Sequence, residues 1–185
     1  MASSSDCRVR VTSVSTPGLT DQSNRTFALK PPGGDLWSIQ FNYDASTVTG
    51  AGGNAGVVFI PSLNEFWTSR WATNVLHRWH ADGSFITSFT VAGVSGVRGM
   101  TFDGTSVIAS TNTTTLYVID PGTRAVTSTV TSPVTARYVA YDPNADGGAG
   151  GFWVGTFTSA PTLIKKDGTF IRSLTYGSLG VSSIY

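Results

Sequence analysis

Apolar residues in this chain come in short runs that alternate with polar ones. No stretch of ten or more residues places them at i, i+3, i+4 and i+7, so no long amphipathic helix is predicted. Runs such as Leu116-Tyr117-Val118-Ile119 and Phe152-Trp153-Val154 are instead rich in β-branched and aromatic residues. They are bounded by Gly, Pro, Asp and Asn, which is how strands read in a sequence. The segments 85–89, 125–130 and 170–174 alternate apolar and polar residues, as half-exposed strands do. The pattern predicts an all-β chain.

These strands recur as a unit. Phe66-Trp67-Thr68-Ser69, Val107-Ile108-Ala109-Ser110 and Phe152-Trp153-Val154-Gly155 open three similar segments, about 41 and about 45 residues apart. That is the period of a four-stranded propeller blade. Each unit has an inner strand (57–60, 97–102, 136–141), a second strand from the residues above, a third strand containing Leu76, Leu116 or Leu163, and an outer strand. Asp82-Gly83 and Asp167-Gly168 predict two-residue type I′ hairpins before two of the outer strands. The blades are expected at about 57–92, 97–132 and 136–176.

Residues 36–41 read as the outer strand of a preceding blade, and residues 180–185 as the start of a fourth inner strand. Residues 1–35 form an N-terminal segment or linker, with a short strand suggested by Arg8-Val9-Arg10-Val11 and a turn by Pro31-Pro32-Gly33-Gly34. The partial propeller spans 36–185. A ring closes with roughly four to eight blades. Three blades therefore predict an incomplete propeller, either a fragment of a longer chain or a unit that other copies complete through open blade edges.

Composition adds little to this architecture but narrows the function classes. Charged residues are 12% of the chain and the formal net charge is +1, so no broad attraction to nucleic acid or anionic membrane is expected. No apolar run approaches the length of a spanning helix. Cys7 is the single cysteine, which excludes an internal disulfide. The start, Met1-Ala2-Ser3-Ser4-Ser5, shows neither the basic nor the apolar part of a signal peptide. Low charge and abundant Ser, Thr and Gly are nonetheless the composition of an extracellular or cell-surface protein. Asn24-Arg25-Thr26 and Asn112-Thr113-Thr114 fit the glycosylation pattern.

Phe66-Trp67-Thr68-Ser69-Arg70-Trp71 resembles a blade motif of secreted bacterial β-propeller repeat proteins of the Bacteroidetes type. So does Tyr141-Asp142-Pro143 with Gly150-Gly151-Phe152-Trp153-Val154-Gly155. Such proteins often carry sorting signals for type IX secretion. More broadly the repeats resemble NHL-like and WD40-like blades. The resemblance covers about residues 36–185 and implies a secreted or surface module.

Candidate chemistry is sparse. Arg98 and Arg137 occupy the same position of two inner strands, with Val57 or a neighbour in the first blade and Tyr185 aligned with them. Inner strands line the channel of a propeller, so the two guanidiniums converge and are candidates to fork onto a carboxylate or phosphate, the alternative being that they pair with carboxylates of neighbouring blades or reach solvent at the rim. Trp71, beside Arg70 in a connecting loop, is the best candidate for an exposed stacking platform. Trp67 and Trp153 share a repeat position, which predicts packing between blades. Asp142-Pro143-Asn144-Ala145-Asp146-Gly147 matches the first half of a calcium loop, making Asp142, Asn144 and Asp146 candidate Ca2+ ligands. The later acidic ligand is missing, since Gly150 and Trp153 stand where it would fall. His77 and His80 lie three apart on one strand and point to opposite faces, so they cannot share a metal. No nucleophile elbow, phosphate loop or zinc-binding helix motif is present. Apart from Ca2+, no cofactor is expected.

These observations lead to the expectation of a non-enzymatic module for binding a protein or glycan, or for scaffolding. The alternatives are a self-assembling ring or filament subunit, and a fragment of a propeller hydrolase or lyase.

Overall fold

The structure, a computed structural model, describes residues 44–50 and 52–174 in full, together with Ser15 and the backbone of four short strands. Those strands are β1 (Ser4–Cys7), β2 (Arg10–Thr12), β3 (Thr20–Gln22) and β4 (Phe27–Leu29). β1 pairs with β4 and β2 with β3, both antiparallel. They belong to a compact unit, Met1–Tyr43, separate from the unit Asp44–Tyr185. The strands expected at 36–41 and 180–185 lie outside the described residues.

The second unit begins with a one-turn helix, α1 (Ala45–Thr49). Its Asp44 cap accepts the Thr47 N–H at 3.0 Å, and Gly50 ends it in the left-handed region. Three four-stranded antiparallel sheets follow, each in simple sequence order. Blade 1 comprises β5 (Asn54–Ile60), β6 (Glu65–Arg70), β7 (Val75–His80) and β8 (Phe85–Thr90). Blade 2 comprises β9 (Gly99–Phe102), β10 (Val107–Ser110), β11 (Thr113–Ile119) and β12 (Val126–Ala136). Blade 3 comprises β13 (Tyr138–Asp142), β14 (Gly151–Gly155), β15 (Thr162–Lys165) and β16 (Phe170–Ser173). The first strand of each blade lies beside the first strand of the next, β5 against β9 and β9 against β13. This is the inner-strand arrangement of an incomplete, propeller-like all-β fold.

The period-two alternation of the strands makes two cores. Between blades 1 and 2, Val58, Ile60, Trp67 and Leu76 pack on Met100, Val107, Ala109 and Ile119. Between blades 2 and 3, Ile108, Leu116 and Val130 pack on Val139, Phe152, Val154 and Ile164. Blade 2 thus gives alternate residues of β10 to opposite neighbours. A Glu65–Arg78 ion pair sits on the same face of blade 1 as Trp67.

Two local expectations are corrected. The Asp-Gly hairpins are not type I′. Gly83 and Gly168 have φ of 86° and 93°, but neither Asp82 nor Asp167 has positive φ. Instead Gly83 N bonds His80 O, and His80 N bonds Ser84 O, closing a three-residue loop with glycine at the left-handed position. The physical reason is the aspartate carboxylate, which accepts the Ser84 N–H at 2.9 Å and so favours the ordinary turn. Lys165, Gly168 and Thr169 repeat the arrangement. Secondly, the outer strand of blade 2 does not stop at Val130 but runs to Ala136. Ser132 Oγ exchanges hydrogen bonds with Val134, and the ladder to β11 resumes at Thr113 after a register shift. No helix among the described residues is long and apolar enough to cross a membrane.

Candidate functional site

The inner strands of blades 2 and 3 begin in the same way. Arg98 N–H donates to Ser110 O at 2.8 Å, and Arg137 N–H donates to Gly155 O at 2.7 Å. Both arginines thereby stand at the same end of neighbouring strands, as their repeat position predicts. In blade 1 the equivalent residue is Ala55, beside the Gly56 that faces Ser69.

The two guanidiniums enter one groove of about 500 Å³. Its walls include Ala55, Val57, Trp71, Met100, Tyr138 and Phe157. Each arginine lies on an aromatic ring. The Arg98 guanidinium is 5.0 Å from the Trp71 ring centre, and that of Arg137 is 3.9 Å from the Phe157 ring centre. Trp71 and Phe157 remain 46% and 40% exposed, so both platforms open to solvent. Trp71 is held by its backbone N–H, which donates to Gly53 O at 3.0 Å. Gly53 has positive φ, and its Cα approaches so closely that a β-carbon there would sit 3.2 Å from the indole nitrogen.

The ion pairs among the described residues are Arg78–Glu65, Lys165–Asp146 and Lys166–Asp103. Neither groove arginine belongs to one, and among the described residues no Asp, Glu or His lines the groove. Burial and the neighbouring Arg98 charge pull the Arg137 guanidinium below its ordinary value. It stays cationic, since arginine does not deprotonate in proteins. The groove therefore concentrates positive charge on aromatic supports and offers oriented N–H donors to an oxyanion.

The remaining sequence candidates fall elsewhere. Arg70 does not line the groove, and its charge acts on His77. Trp67 is fully buried in the core between blades 1 and 2, as its repeat position predicts. Trp153 lies on the equivalent face of blade 3, the one turned away from blade 2, where the Arg172 guanidinium stacks on it at 5.3 Å. Asp142 is occupied by two donors, Asn144 N–H at 3.0 Å and the Trp153 indole N–H at 3.1 Å. Asp146 pairs with Lys165 at 2.8 Å. No group of three His, Cys, Asp or Glu is placed to hold a metal among the described residues. His77 is buried and His80 is exposed, on opposite faces of β7.

Sequence reasoning missed Phe157 and Tyr138. A signal for Phe157 was present. It stands two residues beyond Gly155, as Trp71 stands two beyond Ser69, and these are equivalent second-strand ends.

No protein-family model matches this chain, and no curated protein matches it. Among solved structures, the chain is similar to the glutaminyl cyclase of Myxococcus xanthus. The identity is 16% and the TM-score 0.52, with 64% of this chain and 50% of the cyclase covered. The match thus spans half the length of that enzyme. At this identity the likeness concerns the fold. A propeller-like architecture stands, whereas the narrower resemblance to type IX-associated repeat proteins finds no family or curated match behind it. The expectation of a non-enzymatic binding or scaffolding module is corrected: the matched propeller-like fold is that of an enzyme. The hydrolase or lyase alternative fits this finding better.

Proposed function

We propose that the chain is part of a propeller enzyme of the hydrolase or lyase class, and that the groove at Arg98 and Arg137 binds the oxyanion of its substrate. The observation that carries the reading is the pair of guanidiniums. They come from equivalent positions of adjacent inner strands, rest on Trp71 and Phe157, and pair with no carboxylate among the described residues. Such groups hold a carboxylate or phosphate, or stabilise charge that develops on oxygen during acyl transfer or elimination. The described lining offers no Asp, Glu or His, so these blades supply chiefly binding and charge stabilisation. An extracellular setting is part of the same proposal, supported by low charge and abundant Ser, Thr and Gly.

The test is turnover. Carboxylate-bearing esters, amides and hydroxy acids, with an N-terminal glutaminyl peptide among the amides, are incubated with the protein and followed by mass spectrometry. Turnover of at least one compound is expected. Arg98→Met and Arg137→Met should each reduce it about 10-fold or more, as expected for a lost charge-assisted hydrogen bond. Absence of turnover across the panel, or turnover indifferent to both substitutions, contradicts the proposal.

A further inference from the structure

Close-packed backbone holds the two arginines side by side. Gly56 and Gly99 sit at equivalent points of the inner strands, opposite Ser69 and Ser110 of the second strands. Ser69 Oγ accepts the Gly56 N–H at 3.0 Å and donates to Val97 O, the carbonyl before Arg98, at 2.9 Å. Ser110 Oγ donates to Arg137 O at 3.0 Å. Gly99 lets the inner strands of blades 2 and 3 approach, since a β-carbon on it would lie 3.0 Å from Tyr138 Cα and 3.2 Å from Arg137 O. Blade 3 exchanges the pair. Tyr138 stands where the others have glycine and Gly155 where the others have serine, and the phenol packs back on Gly155. Both arginines therefore leave the backbone at these joints, against their own repulsion. After burial, the Arg98 charge is what lowers the Arg137 value.

The described lining carries two formal positive charges and no carboxylate to balance them. Among the described residues neither guanidinium joins an ion pair, and the Arg98 Nε has no hydrogen-bond partner although it is screened from solvent. A carboxylate brings one negative charge and two oxygens, which a single bidentate arginine already engages. It leaves the second cation uncompensated. A phosphoryl monoester brings close to two negative charges at neutral pH and three terminal oxygens. It balances both arginines and gives each an oxygen, with a third to share. At about 500 Å³ the groove also exceeds what a bare phosphate fills and lies in the range of sites that hold organic ligands.

We infer that the groove selects a doubly charged phosphoryl group: the preferred substrate is a phosphomonoester, and a carboxylate binds the same two arginines more weakly. The inference rests on the anion-binding reading above and adds the substrate class to it. Trp71 and Phe157 favour the charge match, because each covers one face of a guanidinium with a ring in place of water. The charged groups of the described lining are Arg98 and Arg137, and both stay cationic at any working pH. Tyr138, the other titratable residue there, is a phenol, a group that ordinarily ionises only near about pH 10. Between neutral and mildly acidic pH, selectivity therefore follows the ionisation of the ligand.

Calorimetric titration of the intact protein with acetate, methanesulfonate and methylphosphonate tests this. Methanesulfonate has the three oxygens of methylphosphonate but a single charge, so it separates shape from charge. At about pH 8.5, where the phosphonate is a dianion, it is expected to bind about 10-fold tighter than either of the others. At about pH 6 its second proton returns, and its affinity should fall to that of methanesulfonate, which itself stays level. Arg98→Met and Arg137→Met each leave one charge in the groove and should abolish the preference, with circular dichroism confirming the fold. If a variant is unfolded, the comparison of ligands and pH on the unaltered protein decides alone. Acetate or methanesulfonate binding as tightly as methylphosphonate at the higher pH overturns the inference, as does a preference that persists at the lower pH. Either result leaves the anion-binding reading standing. If none of the three binds, the reading of the arginine pair itself falls, and this inference falls with it.

Discussion

Glu65 accepts two hydrogen bonds from Arg78, at 2.6 and 2.8 Å, while 93% screened from solvent by the fold around it, since it is 7% exposed. These bonds hold its carboxyl below the ordinary value of 4.5. Removing one partner leaves the other charge poorly solvated. Glu65→Gln is expected to lower stability by about 2 kcal/mol, reduced from the fully buried case because the pair retains some exposure. Urea denaturation measures this, and adding Arg78→Met should return at least half of the loss. His77 sets a different condition. Burial, then the Arg70 charge, pulls its imidazole below the ordinary 6.5. The unfolded chain therefore takes a proton at higher pH than the folded one. Stability should be full above about pH 6.5 and fall as the pH drops through that value toward the folded one. Glu65 acts in a lower window: its contribution is present above 4.5 and is lost as pH falls through its depressed folded value. Melting temperatures from pH 8 to 5 check the His77 effect, and His77→Leu should flatten the decline. A decline of the same size in that variant would assign the slope to another group.

Glycine acts at the element scale by letting neighbouring inner strands approach. Gly99→Ala places a methyl 2.9 Å from Ser110 Oγ and 3.0 Å from Tyr138 Cα, where backbone cannot give way. A loss of about 2 kcal/mol is expected. Gly104 has φ of +100° but open space around it, so Gly104→Ala should cost about 1 kcal/mol, from backbone strain alone. Thermal denaturation of the two variants should rank them in that order. These contacts also mark where the sequence stopped being legible. Strand order could be read because Phe66, Val107 and Phe152 recur at blade spacing with β-branched runs between them. The turn at Asp82 could not, because a side-chain bond to Ser84 outweighs the preference that Asp-Gly has for a type I′ hairpin. The exchange of Gly and Ser for Tyr138 and Gly155 could not be read either. It has meaning only once register sets each inner residue opposite its partner.

For the molecule as a whole, the candidate site was half legible. Equal offsets from the blade start pointed to Arg98 and Arg137, and loop position pointed to Trp71. Arg70 shared that loop signal but turns to the other face of β6, because neighbouring side chains of a strand alternate. Phe157 needed the structure, since its ring reaches the groove from the loop after β14. The central claim is that blades 2 and 3 bring two cations together to hold one oxyanion. Calorimetric titration with acetate and with inorganic phosphate, on the unaltered protein and on Arg98→Met and Arg137→Met, tests it most directly. The account predicts saturable binding of at least one anion, weakened about 10-fold or more by either substitution, with affinity falling as salt is raised. Absence of binding, or binding that both substitutions leave unchanged, would contradict it.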